Sequence, residues 1–275
     1  MAGLTHNAVP TVSLGATQSK EVGFLDWILE PKRFLPTLAV ILMAVSFGMR
    51  WFQEAMSFSV GMDFYEPEFQ QIWMPFLYAE LAVALTVAVV TFSYIWLTRE
   101  KDAAAVSPQL ELKRYYTLLG FFVVLAIWAI PIGFLGVESD AAWHQVSIRD
   151  TDFTPTHIVL FYFDLPFLSI MLIAAFLWAH TRLPMYMNRI SIPFAIVVSG
   201  LFMIMPNYGF NEWGHTFFYA EELFAAPIHY GFVVIGWAFF ALVPLLVQIM
   251  TRMAQLIPEV AALEDKEEAT LQQAA

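Results

Sequence analysis

The stretch YYTLLGFFVVLAIWAIPIGFLGV, residues 115–137, contains no charged side chain over 23 positions. A bilayer core of about 30 Å is crossed by roughly 20 apolar residues in an α-helix, which bonds its backbone groups internally. The stretch therefore reads as a membrane span, and five others join it: 34–52, 74–97, 157–179, 190–206 and 223–250. The first of these holds Arg50 near its end, where a long side chain reaches the interface. The fifth is short and carries Pro193. Trp51, Trp73, Trp96 and Trp178 fall near the expected span ends, as an interfacial aromatic belt would place them. The fold class that follows is all-α: a polytopic membrane protein of about six transmembrane helices.

Composition agrees. Of 275 residues, 59% are hydrophobic and 13% charged, against about 25% charged in soluble domains, which excludes a single cytosolic globule. The absence of cysteine removes disulfide scaffolds, iron–sulfur clusters, thiolate zinc sites and cysteine nucleophiles. A net charge of −11 argues against a nucleic-acid partner. Chemistry falls to His, Asp, Glu, Asn, Tyr, Trp or Met.

Outside the spanning domain, 34–252, the chain divides simply. Residues 1–21 read as a polar disordered tail, without the apolar core of a cleavable signal peptide, so the first span is expected to act as an uncleaved anchor. Residues 22–33 (VGFLDWILEPKR, counted from Val22) read as an amphipathic helix lying in the interface. Residues 253–275 form a polar, acidic tail. With six spans, both tails and the loops 98–114 and 180–189 share one side and hold eleven of the thirteen Lys and Arg, against Arg50 and Arg149 opposite. The positive-inside rule puts both termini in the cytoplasm and the loops 53–73, 138–156 and 207–222 outside.

Four of the six histidines map to that outer side, in two sets. Asp140 and His144 are four residues apart, so one helical turn aligns them, and His157 follows thirteen later. Asn211 and His215 repeat the four-residue spacing beside Glu212, and His229 follows fourteen later. Each set offers two imidazoles and an oxygen donor, a combination that suits copper, zinc, iron or nickel. A two-haem helix would need each histidine pair on one continuous span. Arg149, Asp150, Asp152 and Pro155 interrupt the first pair, and Glu221, Glu222 and Pro227 the second. From spacing alone, hydrogen-bonded loop histidines account for these residues as well as metal ligands do. His6 and His180 read as ordinary residues.

Four stretches resemble the C subunit of the copper membrane monooxygenases, the family of particulate methane, ammonia and short-chain hydrocarbon monooxygenases. They are GMDFYEPEFQQIWMPFLYAE (61–80), SDAAWHQVSIRDTDFTPTHIVLFY (139–162), TRLPMY (181–186) and MPNYGFNEWGHTFFYAEELFAAPIHYGFVVIGW (205–237). The resemblance implies copper ligands at Asn211, His215 and His229, the favoured catalytic place, and a second set at Asp140, His144 and His157 that takes copper or zinc. It implies two partner subunits, of A and B type, in a trimer of heterotrimers in a bacterial inner membrane. It further implies hydroxylation of methane, a short-chain alkane or ammonia with O2, electrons coming from a quinol-level reductant. Which of these substrates applies stays open.

Around the first set, Trp213, Phe217, Phe218 and Tyr230 are candidates for an apolar shell and Glu212 for a proton acceptor. Asp164 and Glu80 stand at membrane depth, where an ionisable group is a functional candidate: a hydrogen bond between spans or a proton relay. An alternative reading keeps the metals structural, with chemistry in a partner of this subunit. A transporter or proton channel is disfavoured because no internal repeat or paired broken helices appear.

Overall fold

The computed structural model describes residues 29–131, 153–199 and 241–274, and every regular element among them is helical. Helix α1 spans Pro31–Met56, α2 Pro67–Leu97 and α3 Pro108–Pro131. Helix α4 runs over Pro155–His180, followed by the short α5, Pro184–Met187, and α6, Ile192–Ser199. Helix α7 is Val243–Ala274. Helices α1 to α5 each open on a proline, whose fixed φ suits a first turn and whose missing N–H would have no partner there.

Helices α1 to α4 are long and apolar enough to cross a bilayer. The fifth expected span is described over Ile192–Ser199, and the sixth from 241 onward; their remainders lie outside the described residues. Residues 22–28 of the expected interfacial helix also lie outside, and Pro31 to Arg33 form the first turn of α1. Helix α7 continues through the polar tail to Ala274, with every residue from 261 exposed.

The four spans alternate in direction. Phe52 at the end of α1 packs on Trp73 near the start of α2, so that pair is antiparallel. Helices α2 and α4 run parallel, with Phe64 against Phe153 at one end and Arg182 bonded to Thr98 at the other. Helices α1 and α3 are parallel as well: Trp128 Nε1 donates to Ser46 Oγ at 2.8 Å, and Gly120 faces Leu35.

Two apolar clusters hold the bundle. One joins α3, α4, α6 and α7 through Tyr115, Trp128, Leu172, Phe194 and Leu245. The other, at the rim where α2 and α4 begin, gathers Phe69, Trp73, Leu77 and Ile158, with Phe64, Phe153 and Tyr162 against them. Trp73 thereby departs from the expected lipid-facing belt: it is fully buried and donates Nε1–H to the Val60 carbonyl at 3.0 Å. Trp51 and Trp96 are exposed, as a belt requires.

The opposite rim is tied by charge. Buried Arg182 donates to Thr98 Oγ1 (2.5 Å), Thr181 Oγ1 (2.8 Å) and the Ile95 carbonyl (3.3 Å). Arg114 donates to the Arg182 carbonyl at 2.7 Å and pairs with Glu100. Arg252 on α7 forks onto Glu111 on α3 at 2.9 and 2.8 Å.

Candidate functional site

The structure describes three of the candidate site residues: Glu80, His157 and Asp164. Asp140, His144, Asn211, Glu212, Trp213, His215 and His229 lie outside the described residues, as do Phe217, Phe218 and Tyr230. Among the described residues no group of three His, Asp or Glu is gathered to hold a metal ion. With five of the six expected donors outside that range, the described part of either set is one histidine.

His157 sits in the first turn of α4, half-buried at the rim. Thr154 builds that turn. Its Oγ1 accepts the His157 backbone N–H at 2.9 Å, and its carbonyl accepts the Ile158 N–H at 2.9 Å. A threonine before a helix satisfies donors that have no partner within it. Pro155 then starts the helix, so the sequence TPTH fixes the imidazole at a defined height. At the same rim lies the aromatic cluster, with Phe153 and Tyr162 stacked at 5.8 Å and Phe64 at 5.6 Å from Phe153.

Three residues beyond His157 the helix changes pitch: Leu160–Asp164 is π-helical. Pro166 supplies the cause. It has no N–H, and its ring crowds the carbonyl four residues earlier, at Tyr162. A π segment winds less per residue than an α-helix, so the seven residues from His157 to Asp164 turn through less than the two full turns of a regular helix.

The π segment that Asp164 ends packs against α2, the helix that carries Glu80. The buried positions of α2, Phe69, Trp73, Leu77, Glu80 and Ala84, recur at three and four residues and form one inward stripe. Glu80 lies in that stripe near the middle of α2. It is 6% exposed and Asp164 7%, and Asp164 is the charged group that acts on it. Neither Glu80 oxygen, nor Asp164 Oδ1, has a hydrogen-bond partner among the described residues.

His180 behaves as an ordinary residue. Its Nε2 accepts the Ser191 backbone N–H at 3.3 Å, which leaves Nδ1–H to donate to the Phe176 carbonyl at 2.8 Å. The rim network of Arg182, Arg114 and Glu111 went unread in the sequence; the signal available was charge at the span ends facing apolar stripes.

Four apolar helices of alternating direction, with a capped histidine at one rim and a cationic latch at the other, define a multi-pass helical membrane protein. Residues 16–260 match the family described as the C subunit of ammonia monooxygenase/methane monooxygenase, and the chain belongs to that family. It is accordingly part of a membrane monooxygenase, an oxidoreductase complex with further subunits. A comparison with curated proteins finds no match.

Proposed function

We propose that this subunit holds copper at Asn211, His215 and His229, and copper or zinc at Asp140, His144 and His157, on the outer side of a bacterial inner membrane. The observation that supports this reading is the family match, which spans all six donors. Their chemistry fits the metals: paired imidazoles with one amide or carboxylate oxygen suit copper and leave coordination positions open, and no thiolate competes. Copper, when bound, supplies the one-electron chemistry that O2 activation requires.

The chain's own residues do the rest. Thr154 and Pro155 hold His157 at a fixed height, and an apolar cluster packs at the same rim. Trp213, Phe217, Phe218 and Tyr230 line the first set with apolar surface suited to a small substrate, and Glu212 accepts a proton beside it. The substrate is methane, a short-chain alkane or ammonia. The complex contains A-type and B-type partner subunits, as a trimer of heterotrimers, and draws on a quinol-level reductant.

Replacing His215 and His229 together with alanine is expected to strip copper from the first set and reduce turnover of the purified complex to background. Full turnover by that variant overturns the assignment. Asn211→Ala separates catalysis from support: the proposal expects an assembled complex without activity, whereas a purely structural metal predicts loss of assembly.

A further inference from the structure

Two carboxyl groups are buried on packed spans in the bilayer part of this protein, and nothing described around them balances their charge. Glu80 is in the inward stripe of α2, and Asp164 ends the π-helical segment of α4. Both are more than nine-tenths buried, and three of their four oxygens have no hydrogen-bond partner among the described residues. The groups on the packed elements do not compensate. Arg50 on α1 is paired with Glu54 at 2.7 Å, Glu68 and Tyr78 on α2 are exposed, and His157 stands at the rim of α4. Tyr162 on α4 is stacked on Phe153. Asp164 is the one charged neighbour that acts on Glu80 among the described residues.

Two bare carboxylates on packed spans in an apolar interior carry both a desolvation cost and mutual repulsion. One proton removes the repulsion and spares the burial of one of the two charges. The π segment fits this role: it ends at Asp164 and packs against α2.

We propose that Glu80 and Asp164 form an intramembrane proton-binding site, two buried carboxyls on packed neighbouring spans that hold a proton. The site lies below His157 and serves as a proton store for the outer metal sites. That service rests on the function proposed above, whereas the existence of the site does not. Insertion of one oxygen atom from O2 with two electrons consumes two protons and releases one water, so such a store has a consumer.

The test is labelling with dicyclohexylcarbodiimide, a lipid-soluble reagent, on the complex in native membranes. The acid's proton moves to one carbodiimide nitrogen, and its oxygen bonds the central carbon. Acyl migration then leaves an N-acylurea with nothing released. Exposed Glu264 and Glu267 on α7 are internal controls, since a solvated Glu is protonated at only about a few parts in a thousand at pH 7. Mass mapping is expected to find Glu80 or Asp164 labelled about a hundredfold more than these, with labelling falling as the medium is made alkaline. Labelling no greater than the controls overturns the site. Labelling suppressed by sodium but not by choline, at fixed pH, overturns the proton as occupant in favour of a metal cation.

Glu80→Gln and Asp164→Asn, each checked for assembly and metal content, test the service to catalysis. The expected result is turnover lowered at least about tenfold with metal content unchanged. Unchanged turnover overturns the supply role. A failure of the copper assignment shows separately, in the His215 and His229 variant, with the carbodiimide pattern intact.

Discussion

Arg252 and Glu111 illustrate what a single pair contributes when one partner is out of water. The Glu111 side chain is 4% exposed and that of Arg252 31%, and the guanidinium reaches both carboxylate oxygens at 2.9 and 2.8 Å. Such a fork joins α7 to α3 at the cationic rim, 141 residues apart in the chain. Removing only the arginine strands a carboxylate in an apolar setting, which costs more than the pair itself contributes. Arg252→Ala is therefore expected to destabilise by about 2–3 kcal/mol, below the range for fully buried pairs because the arginine is partly solvated. Glu111→Gln keeps an acceptor for the guanidinium and is expected to cost about 1 kcal/mol. Thermal unfolding of the detergent-solubilised complex checks both, and equal losses would show that burial of Glu111 is not what sets the cost. At this scale little was open to reading beforehand. Glu111 and Arg252 stand in the sequence as polar flanks of two spans, and only the register of α3 against α7 makes them partners. Trp73 shows the converse: its place near a span end suggested the lipid interface, but the turn at Gly61 presents the Val60 carbonyl to it and draws it inward.

Helices meet at two glycines whose demands differ. Gly61 turns the chain from α1 into α2 with φ +59°, and a Cβ there would lie 2.6 Å from the Phe69 backbone nitrogen. Both the left-handed backbone and the backbone contact oppose any side chain, and neither can relax without moving the start of α2. Gly61→Ala is expected to cost about 2 kcal/mol or more and to loosen the rim cluster around Trp73. Gly120 sits where α3 passes α1, and a Cβ there would meet Leu35 Cδ1 at 2.6 Å. That atom ends a flexible side chain, so Gly120→Ala is expected to be mild and Gly120→Leu severe, since bulk would part the two helices. Yields of assembled complex and melting temperatures order the three variants, and a Gly120→Ala loss equal to that of Gly61→Ala would contradict the distinction. The elements themselves were legible: apolar length marked α1 to α4, although each begins some residues earlier than expected, at a proline. The π segment was not, because Pro166 tells where a helix is strained without telling which way it relieves the strain. For that reason Glu80 and Asp164 stood as separate acids in the sequence, and the inward stripe of α2 that buries Glu80 emerged only from the structure.

Across the whole molecule, direction alternates and charge segregates with it. Glu100 donates its backbone N–H to the Thr181 carbonyl at 3.0 Å, and Arg114 reaches the Arg182 carbonyl, so the loops after α2 and α4 share one face. Glu30, at the start of α1, feels Lys113, and Arg252 of α7 binds Glu111 there too. Lys32, first through its hydrogen bond, together with Arg33 and Lys113, lowers the Glu30 carboxyl below the usual range. The one-sided distribution of Lys and Arg, read in the sequence as a count over loops, is thus a physical surface gathered by the fold. The metal sets were legible only as donor types and spacing, because the approach of loops far apart in the chain is decided by packing that no periodicity records. An anionic cytoplasmic leaflet attracts the basic surface, which predicts that this rim faces the cytoplasm and the His157 rim faces outward. The chain has no cysteine, so single introduced thiols report cleanly. Ser59→Cys, on the His157 side, is expected to react with a membrane-impermeant maleimide in intact spheroplasts. Ala105→Cys and Thr270→Cys are expected to react only after lysis. All three positions are exposed, so silence would come from the membrane and not from packing. Labelling of Ala105→Cys in intact cells with Ser59→Cys protected would invert the orientation and place the His157 rim in the cytoplasm, where the proposed route for an outer oxygen-activating site fails.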